Sequence, residues 1–376
     1  MVGREPVHAY ERPVLSKAFM TDGQYEPVHP FTLGRLAAHG IEVRVGTEVE
    51  QICRDEREVM LANGQRLAYG RLLLAVGSRP RRLAGTGAVD VMYLRTHEDA
   101  CRISRCLVPG RHVGVVGAGL IGLELAAAAR QRGCEVTVIE AGQHALGRVV
   151  PPGAADDIVA LHEKHTVDFR WGVTVQALAA DDRRTLMALS SGETLSFDVV
   201  IVGIGAEPNI ELAASAGLAV EDGIAVDQFL RTADTNIYAA GDCAAVPHRL
   251  ARGRRLRLES WRSALEQAVT VAANMVGEHR VHTGIPWLWS EFYDHSLQAA
   301  GLQAFAEDWT DRRRSDGVRL RFGLDRRSRL VYAVGFGRGN AVARDIKIAE
   351  RIIARDEPVD PVRLADAGCP LRTLAA

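Results

Sequence analysis

Between residues 112 and 140 the chain passes through an apolar run, a glycine-rich turn, a helical pattern of small and apolar residues, and a second apolar run. That order restricts this part of the chain to a strand-helix-strand unit of a parallel sheet. The turn, Gly117-Ala118-Gly119-Leu120-Ile121-Gly122, matches G-x-G-x-x-G directly after a strand at 112–116 and opens a helix over 120–132. Gly117 permits the tight turn, Gly119 lets the backbone approach a pyrophosphate, and Gly122 lets the helix lie close on the strand. The helix N-terminus then presents free N–H groups and the positive end of its dipole to phosphate. In a chain with 36 glycines a bare triplet carries little weight, and Glu140 is what raises it. It closes the second strand, 135–139, at the spacing where a carboxylate accepts the hydroxyls of a ribose. No arginine stands beside Glu140 to hold a 2′-phosphate, which the carboxylate would also repel. NADH is therefore expected over NADPH.

The rest of the chain is organised around this unit. Upstream, β-like runs at 41–45, 48–52, 58–61 and 72–76, with an Asn63-Gly64 turn, form a meander returning into a buried strand. Thr96 caps a helix starting at His97-Glu98-Asp99, and Pro109-Gly110 ends the connection, so a boundary falls near residue 108. Downstream come a helix at about 154–165, alternating segments with a Ser191-Gly192 turn, and an apolar strand at 199–204. A strand from Ile237 ends in Gly241-Asp242, a helix covers about 260–276, and the tail from Trp287 reads as strands followed by a helix over 341–354. The order of βαβ unit, meander and apolar strand occurs twice, and the first copy lacks its opening unit.

At 376 residues the chain is too long for one ordinary domain. Its 47% hydrophobic and 25% charged residues suit a globular protein with several cores. A formal net charge of -1 removes any global argument for binding nucleic acid or an anionic membrane. The first 17 residues mix charges and prolines without an apolar core, and Glu124 interrupts the most apolar helical stretch, so neither a leader nor a membrane span is expected. The six cysteines are scattered without C-x-x-C spacing, so no metal site is expected, thiols should be reduced, and the location should be cytoplasmic.

Several further stretches carry a resemblance. Tyr10-Glu11-Arg12-Pro13-Val14-Leu15-Ser16-Lys17 resembles the Y-E-R-P-P-L-S-K segment of the FAD-dependent ferredoxin and rubredoxin reductases that serve oxygenases. Tyr93-Leu94-Arg95-Thr96 and Leu258-Glu259-Ser260-Trp261 are similar to other segments of that family, and Pro286-Trp287-Leu288-Trp289-Ser290 to its P-W-F-W-S signature. The stretch 235–242, ending in Gly241-Asp242, looks like the second flavin motif of flavoproteins with two dinucleotide domains. Because these occur in the family's order and spacing, the resemblance covers essentially the whole chain. It implies an α/β fold with two Rossmann-like domains, for FAD and NAD, plus a C-terminal α+β domain. The segments would be 1–107 and 229–284 for FAD, 108–228 for NAD, and 285–376 for a C-terminal interface domain.

The resemblance also implies roles. Lys17 would lie beside the flavin ring, Trp289 against the isoalloxazine, and Glu124 would meet the nicotinamide. Arg12, Val49, Ala75, Gly77, Arg95, Asp242 and the backbone of Trp261 would serve FAD. Gly117, Gly119, Gly122, Glu140 and Gly205 would serve NAD(H). From the residues alone Glu124 reads better as a solvated helix residue, Lys17 as a surface lysine and Trp289 as a core aromatic, and only the joint match of the motifs reverses that. The implied reaction passes electrons from NADH through FAD to a [2Fe–2S] ferredoxin or rubredoxin, in a monomer or homodimer. A quinone-reducing flavoenzyme and a flavin-deficient NAD-binding protein are the alternatives.

Two features set the chain apart. Cys101 and Cys106 have the C-x4-C spacing of disulfide-reductase relatives but stand away from the flavin segment, so dithiol chemistry is not expected. Relatives begin with a strand, a first glycine turn and a helix for the FAD pyrophosphate, whereas Met1-Val2-Gly3 reads as the end of the second strand of that unit. The chain is thus expected to be truncated and to bind FAD poorly by itself. Arginine clusters at 252–257, 312–314 and 326–329 read either as a steering surface for an acidic partner or as solvated loops.

Overall fold

The computed structural model describes residues 1–22, 26–85 and 89–375. Its most apolar runs form a four-stranded parallel sheet in the order Val199–Val202, His112–Val116, Glu135–Glu140, Val167–Trp171. The first three of these strands are rich in valine and isoleucine because a parallel sheet covered on both faces needs apolar residues at successive positions, whereas the edge strand Val167–Trp171 is only partly buried. The helix Leu120–Gln131 lies against it, burying Leu123, Leu125 and the alanines Ala126 to Ala129. A meander of Val175–Asp181, Arg184–Leu189 and Thr194–Phe197 turns at Gly192, whose φ of +88° suits glycine. Its Met187, Leu189 and Phe197 share a core with Val116, Ile139, Val200 and Tyr93. The expected cap on helix His97–Cys106 is a full capping box between Thr96 and Asp99.

The C-terminal part is an antiparallel sheet in the order Trp287–Phe292, His295–Gly301, Leu330–Arg338, Arg319–Leu324, Asp308–Arg313. The helix Ala343–Arg355 buries Ile346, Ala349, Ile352 and Ile353. By compactness the parallel sheet, this sheet and a short early segment make one unit: Leu15–Tyr25, Pro80–Ala206 and Ile285–Ala376.

The other unit comprises Met1–Val14, Glu26–Arg79 and Glu207–Gly284. It holds the meander Val49–Cys53, Glu58–Leu61, Arg66–Ala68 and a parallel pair of Leu72–Leu74 with Ile237–Ala239. Leu74, Ile237, Ala239, Cys243 and Val271 lie in its core. The expected strand at 41–45 does not form. Only Arg44 pairs, in a one-residue parallel bridge with Val2, and Ile41 and Val45 stay exposed. A strand is held by successive ladder bonds to a neighbour, and among the described residues this run has the single bridge to Val2. These compact units are coarser than the four segments read from the sequence, which stand as a proposal about domains. Among the described residues no helix is long and apolar enough to cross a membrane.

Candidate functional site

The glycine turn has the geometry a dinucleotide requires. Gly117 has φ +104°, and a Cβ on it would lie 2.6 Å from the Gly203 carbonyl oxygen. A Cβ on Gly122 would lie 2.0 Å from the Gly117 oxygen, so no side chain fits there. A Cβ on Gly119 meets only the Gly203 carbonyl oxygen, at 3.9 Å, so the backbone there is open to close approach. No side chain caps the N-terminus of Leu120–Gln131, which leaves its first N–H groups to a ligand. The Glu140 carboxylate accepts the N–H groups of Ala118 and Gly142, each at 2.7 Å, and is thereby aimed across the turn. Gly205 follows the strand Val199–Val202 with φ +108°, where a Cβ would collide with the Arg148 guanidinium. The residues present fit NAD(H).

In the same unit Lys17, Glu124 and Trp289 come together. Glu124 is 4% exposed on the buried face of Leu120–Gln131, so it is not the solvated helix residue that its type alone would favour. Its carboxylate accepts Lys17 Nζ at 2.7 Å on one oxygen, the Ser290 hydroxyl on the same oxygen, and the Ser16 hydroxyl on the other. The opposite charge and three donors make burial of this carboxylate tolerable. Lys17 Nζ lies 5.5 Å from the centre of the Trp289 ring, within cation–π range. Trp287 and Trp289, two apart on one strand, project from the same face with ring centres 5.4 Å apart. Sequence reasoning missed Ser16 and Ser290, although each adjoins a chosen residue within a quoted motif.

Arg95 also belongs to this unit, and its N–H donates to the Asp99 carboxylate at 3.0 Å. Arg12, Val49, Ala75, Gly77, Asp242 and Trp261 lie in the other unit. Arg12 bonds the carboxylate of Glu5 and the Tyr10 hydroxyl. Val49 opens a strand, and Ala75 and Gly77 follow Leu72–Leu74. Asp242 follows Ile237–Ala239 and accepts the Ser78 hydroxyl at 3.2 Å. Gly77 and Gly241, with φ +65° and +81°, sit past the C-terminal ends of these two parallel strands, where open α/β sheets bind ligands. A carboxylate at that strand end fits the hydroxyls of a flavin's ribitol. Trp261 is 40% exposed at the first turn of Trp261–Met275, behind the Ser260 cap.

All six cysteines are unpaired, and the Cys101 sulfur lies 3.7 Å from a ring nitrogen of His97. Some arginines of each cluster pair with acids. Arg255 pairs with Glu221, Arg257 with Asp222 and Glu259, Arg314 with Asp316 and Asp345, Arg326 with Glu307, and Arg329 with Asp325 and Asp356. Arg312 is buried and donates to the carbonyls of Leu364, Ala367 and Cys369. Each cluster therefore has part of its charge balanced by acidic neighbours.

The description "pyridine nucleotide-disulphide oxidoreductase" belongs to a family model that matches residues 1–268, and a reductase C-terminal model matches 287–375. The ferredoxin–NAD(+) reductase component of an anthranilate 1,2-dioxygenase system from Burkholderia cepacia is 39% identical over 379 residues, covering 99% of this chain and 92% of that protein. A crystal structure of the ferredoxin reductase for the CYP199A2 system from Rhodopseudomonas palustris superposes with a TM-score of 0.93 at 34% identity, covering 100% of this chain and 92% of that one. The covalent putidaredoxin reductase–putidaredoxin complex gives 0.93 at 33% identity over 99% and 90% of the two chains.

Proposed function

The chain belongs to the pyridine nucleotide-disulphide oxidoreductase family, and from that premise we propose that it is an FAD-dependent reductase passing electrons from NADH to a small iron–sulfur protein, a [2Fe–2S] ferredoxin or a rubredoxin, that feeds an oxygenase. One observation carries the reading: the segment that leads into the reactive centre offers a lysine paired to a buried glutamate beside a tryptophan, and no cysteine pair. That arrangement suits relay to an outside acceptor better than thiol exchange. The named relatives, two ferredoxin reductases of an anthranilate dioxygenase system and the CYP199A2 system and a reductase in complex with putidaredoxin, support the same acceptor class.

When bound, FAD supplies the conversion between the electron pair donated by NADH and single electrons. The chain's own groups bind and orient. Gly117, Gly119 and Gly122 accommodate the NADH pyrophosphate, Gly205 lines the same site, and Glu140 accepts the ribose hydroxyls. Glu124 accepts an N–H of the nicotinamide carboxamide once the flexible Lys17 side chain turns aside. Lys17 keeps a positive charge, and Trp289 an apolar face, at the flavin. Asp242 accepts from the ribitol, and Arg12, Val49, Ala75, Gly77, Arg95 and Trp261 line the rest of the FAD site. The unpaired thiols fit a reducing compartment, which supports a cytoplasmic location.

The test is steady-state reduction by NADH of a [2Fe–2S] ferredoxin, a rubredoxin and a quinone with flavin-loaded protein. An iron–sulfur protein should be the preferred acceptor. Rapid quinone reduction with neither iron–sulfur protein reduced would overturn the proposal.

A further inference from the structure

The Glu124 carboxylate is held by more than its ion pair. Ser16 and Ser290, 3% and 0% exposed, reach it from segments 108 and 166 residues away in the chain. A buried serine ordinarily satisfies its hydroxyl on a nearby backbone carbonyl. Here two of them converge from opposite ends of the chain on one carboxylate.

The donors differ in kind. Lys17 carries its ammonium on a flexible four-carbon stem, and its side chain is 16% exposed. The serines have one short rotor each. Ser16 ends the 3-10 turn Arg12–Ser16, and Ser290 lies within Trp287–Phe292, opposite Leu297 of the neighbouring strand. Lys17 can leave, whereas the serines remain wherever their backbones hold them.

We propose that Ser16 and Ser290 are positioning residues for coenzyme recognition, their hydroxyls holding the Glu124 carboxylate in the orientation from which it accepts an N–H of the nicotinamide carboxamide. This rests on the reading of Glu124 as the nicotinamide contact. A carboxylate offers about four acceptor sites, and the Lys17 and two serine bonds occupy three of them. Departure of Lys17 frees a second site while the serine bonds still define the plane of the carboxylate. Such orientation by supporting hydrogen bonds is what lets one contact discriminate between ligands.

The test measures binding, without turnover. Flavin-loaded wild-type protein, Ser16→Ala, Ser290→Ala and the double variant are titrated by calorimetry with NAD+, with 3-acetylpyridine adenine dinucleotide and with ADP-ribose. The acetyl group keeps the carbonyl but lacks the carboxamide N–H donors, and ADP-ribose lacks the nicotinamide. Wild type should favour NAD+ over the acetyl analogue by about tenfold, the value of one charge-assisted hydrogen bond. Each single variant should lower that ratio and the double variant should bring it within about twofold of unity, with ADP-ribose affinity unchanged throughout. A double variant with the wild-type ratio overturns the proposal, as does a loss of ADP-ribose affinity parallel to that of NAD+, which marks general collapse of the site. Glu124→Ala separates the two levels: if it keeps the wild-type ratio, the nicotinamide contact itself is wrong. Should the double variant not fold, the single variants decide by the same ratio.

Discussion

Replacing Lys17 with methionine keeps most of the side chain's length and removes its charge, so it isolates what the ion pair contributes. In the native protein the Lys17–Glu124 contact is 2.7 Å, with side chains 16% and 3% exposed. Removing one partner of a fully buried pair costs about 3–5 kcal/mol, because the other charge is left uncompensated. Two features lower this figure. The Ser16 and Ser290 hydroxyls still bond the carboxylate, and the partial exposure of Lys17 lets water approach its oxygen. Lys17→Met should therefore destabilise the unit by about 2–3 kcal/mol. Adding Glu124→Gln removes the stranded charge, and the double variant should regain at least about 1 kcal/mol over Lys17→Met. Urea unfolding followed by tryptophan fluorescence reads this, since Trp289 lies against Lys17. Stability of Lys17→Met within about 0.5 kcal/mol of wild type, or strict additivity of the two substitutions, would refute the argument that a buried charge is balanced there.

Glu140→Ala should weaken NADH use by about tenfold or more, because it removes the acceptor that the Ala118 and Gly142 N–H groups hold in place. Steady-state kinetics with both coenzymes checks this, and a wild-type preference for NADPH would sink it. Burial, and then the neighbouring His248, lowers the pKa of His282 from 6.5 to about 4. Between those values the unfolded chain binds a proton that the folded chain does not, so stability should fall as pH drops through this window, by about 3 kcal/mol when complete. The difference in urea-unfolding free energy between wild type and His282→Leu should therefore change with pH from about 6.5 to about 4, and a constant difference would contradict it. Cys101→Ser and Cys106→Ser should each leave NADH-to-ferredoxin turnover within about twofold of wild type. A large loss in either would bring thiol chemistry back.

The elements that could be read from the sequence are those whose signals lie within a few residues. Strands 58–61 and 112–116 carry their own alternation or apolar run. The Thr96 cap is read from its own side chain and that of Asp99 three residues on. The glycine turn is local as well: what forbids a Cβ on Gly122 is the carbonyl of Gly117, five residues back. The run at 41–45 has the composition of a strand, but a strand needs a partner, and only Val2 supplies a bridge. Charge behaves in the same way. A run of arginines shows its sign in the sequence, yet its effect depends on acids brought up by the fold, such as Glu221 beside Arg255 and Asp345 beside Arg314. Motif resemblance singled out Lys17, Glu124 and Trp289, but not the two serines that complete the carboxylate's hydrogen bonds. Periodicity, capping and turn chemistry act between near neighbours and so are written in order along the chain. Burial and the choice of partner for a charge or hydroxyl depend on segments well apart in the chain, 34 residues for Glu221 and Arg255 and 108 and 166 for Ser16 and Ser290 with Glu124, and only tertiary packing decides them.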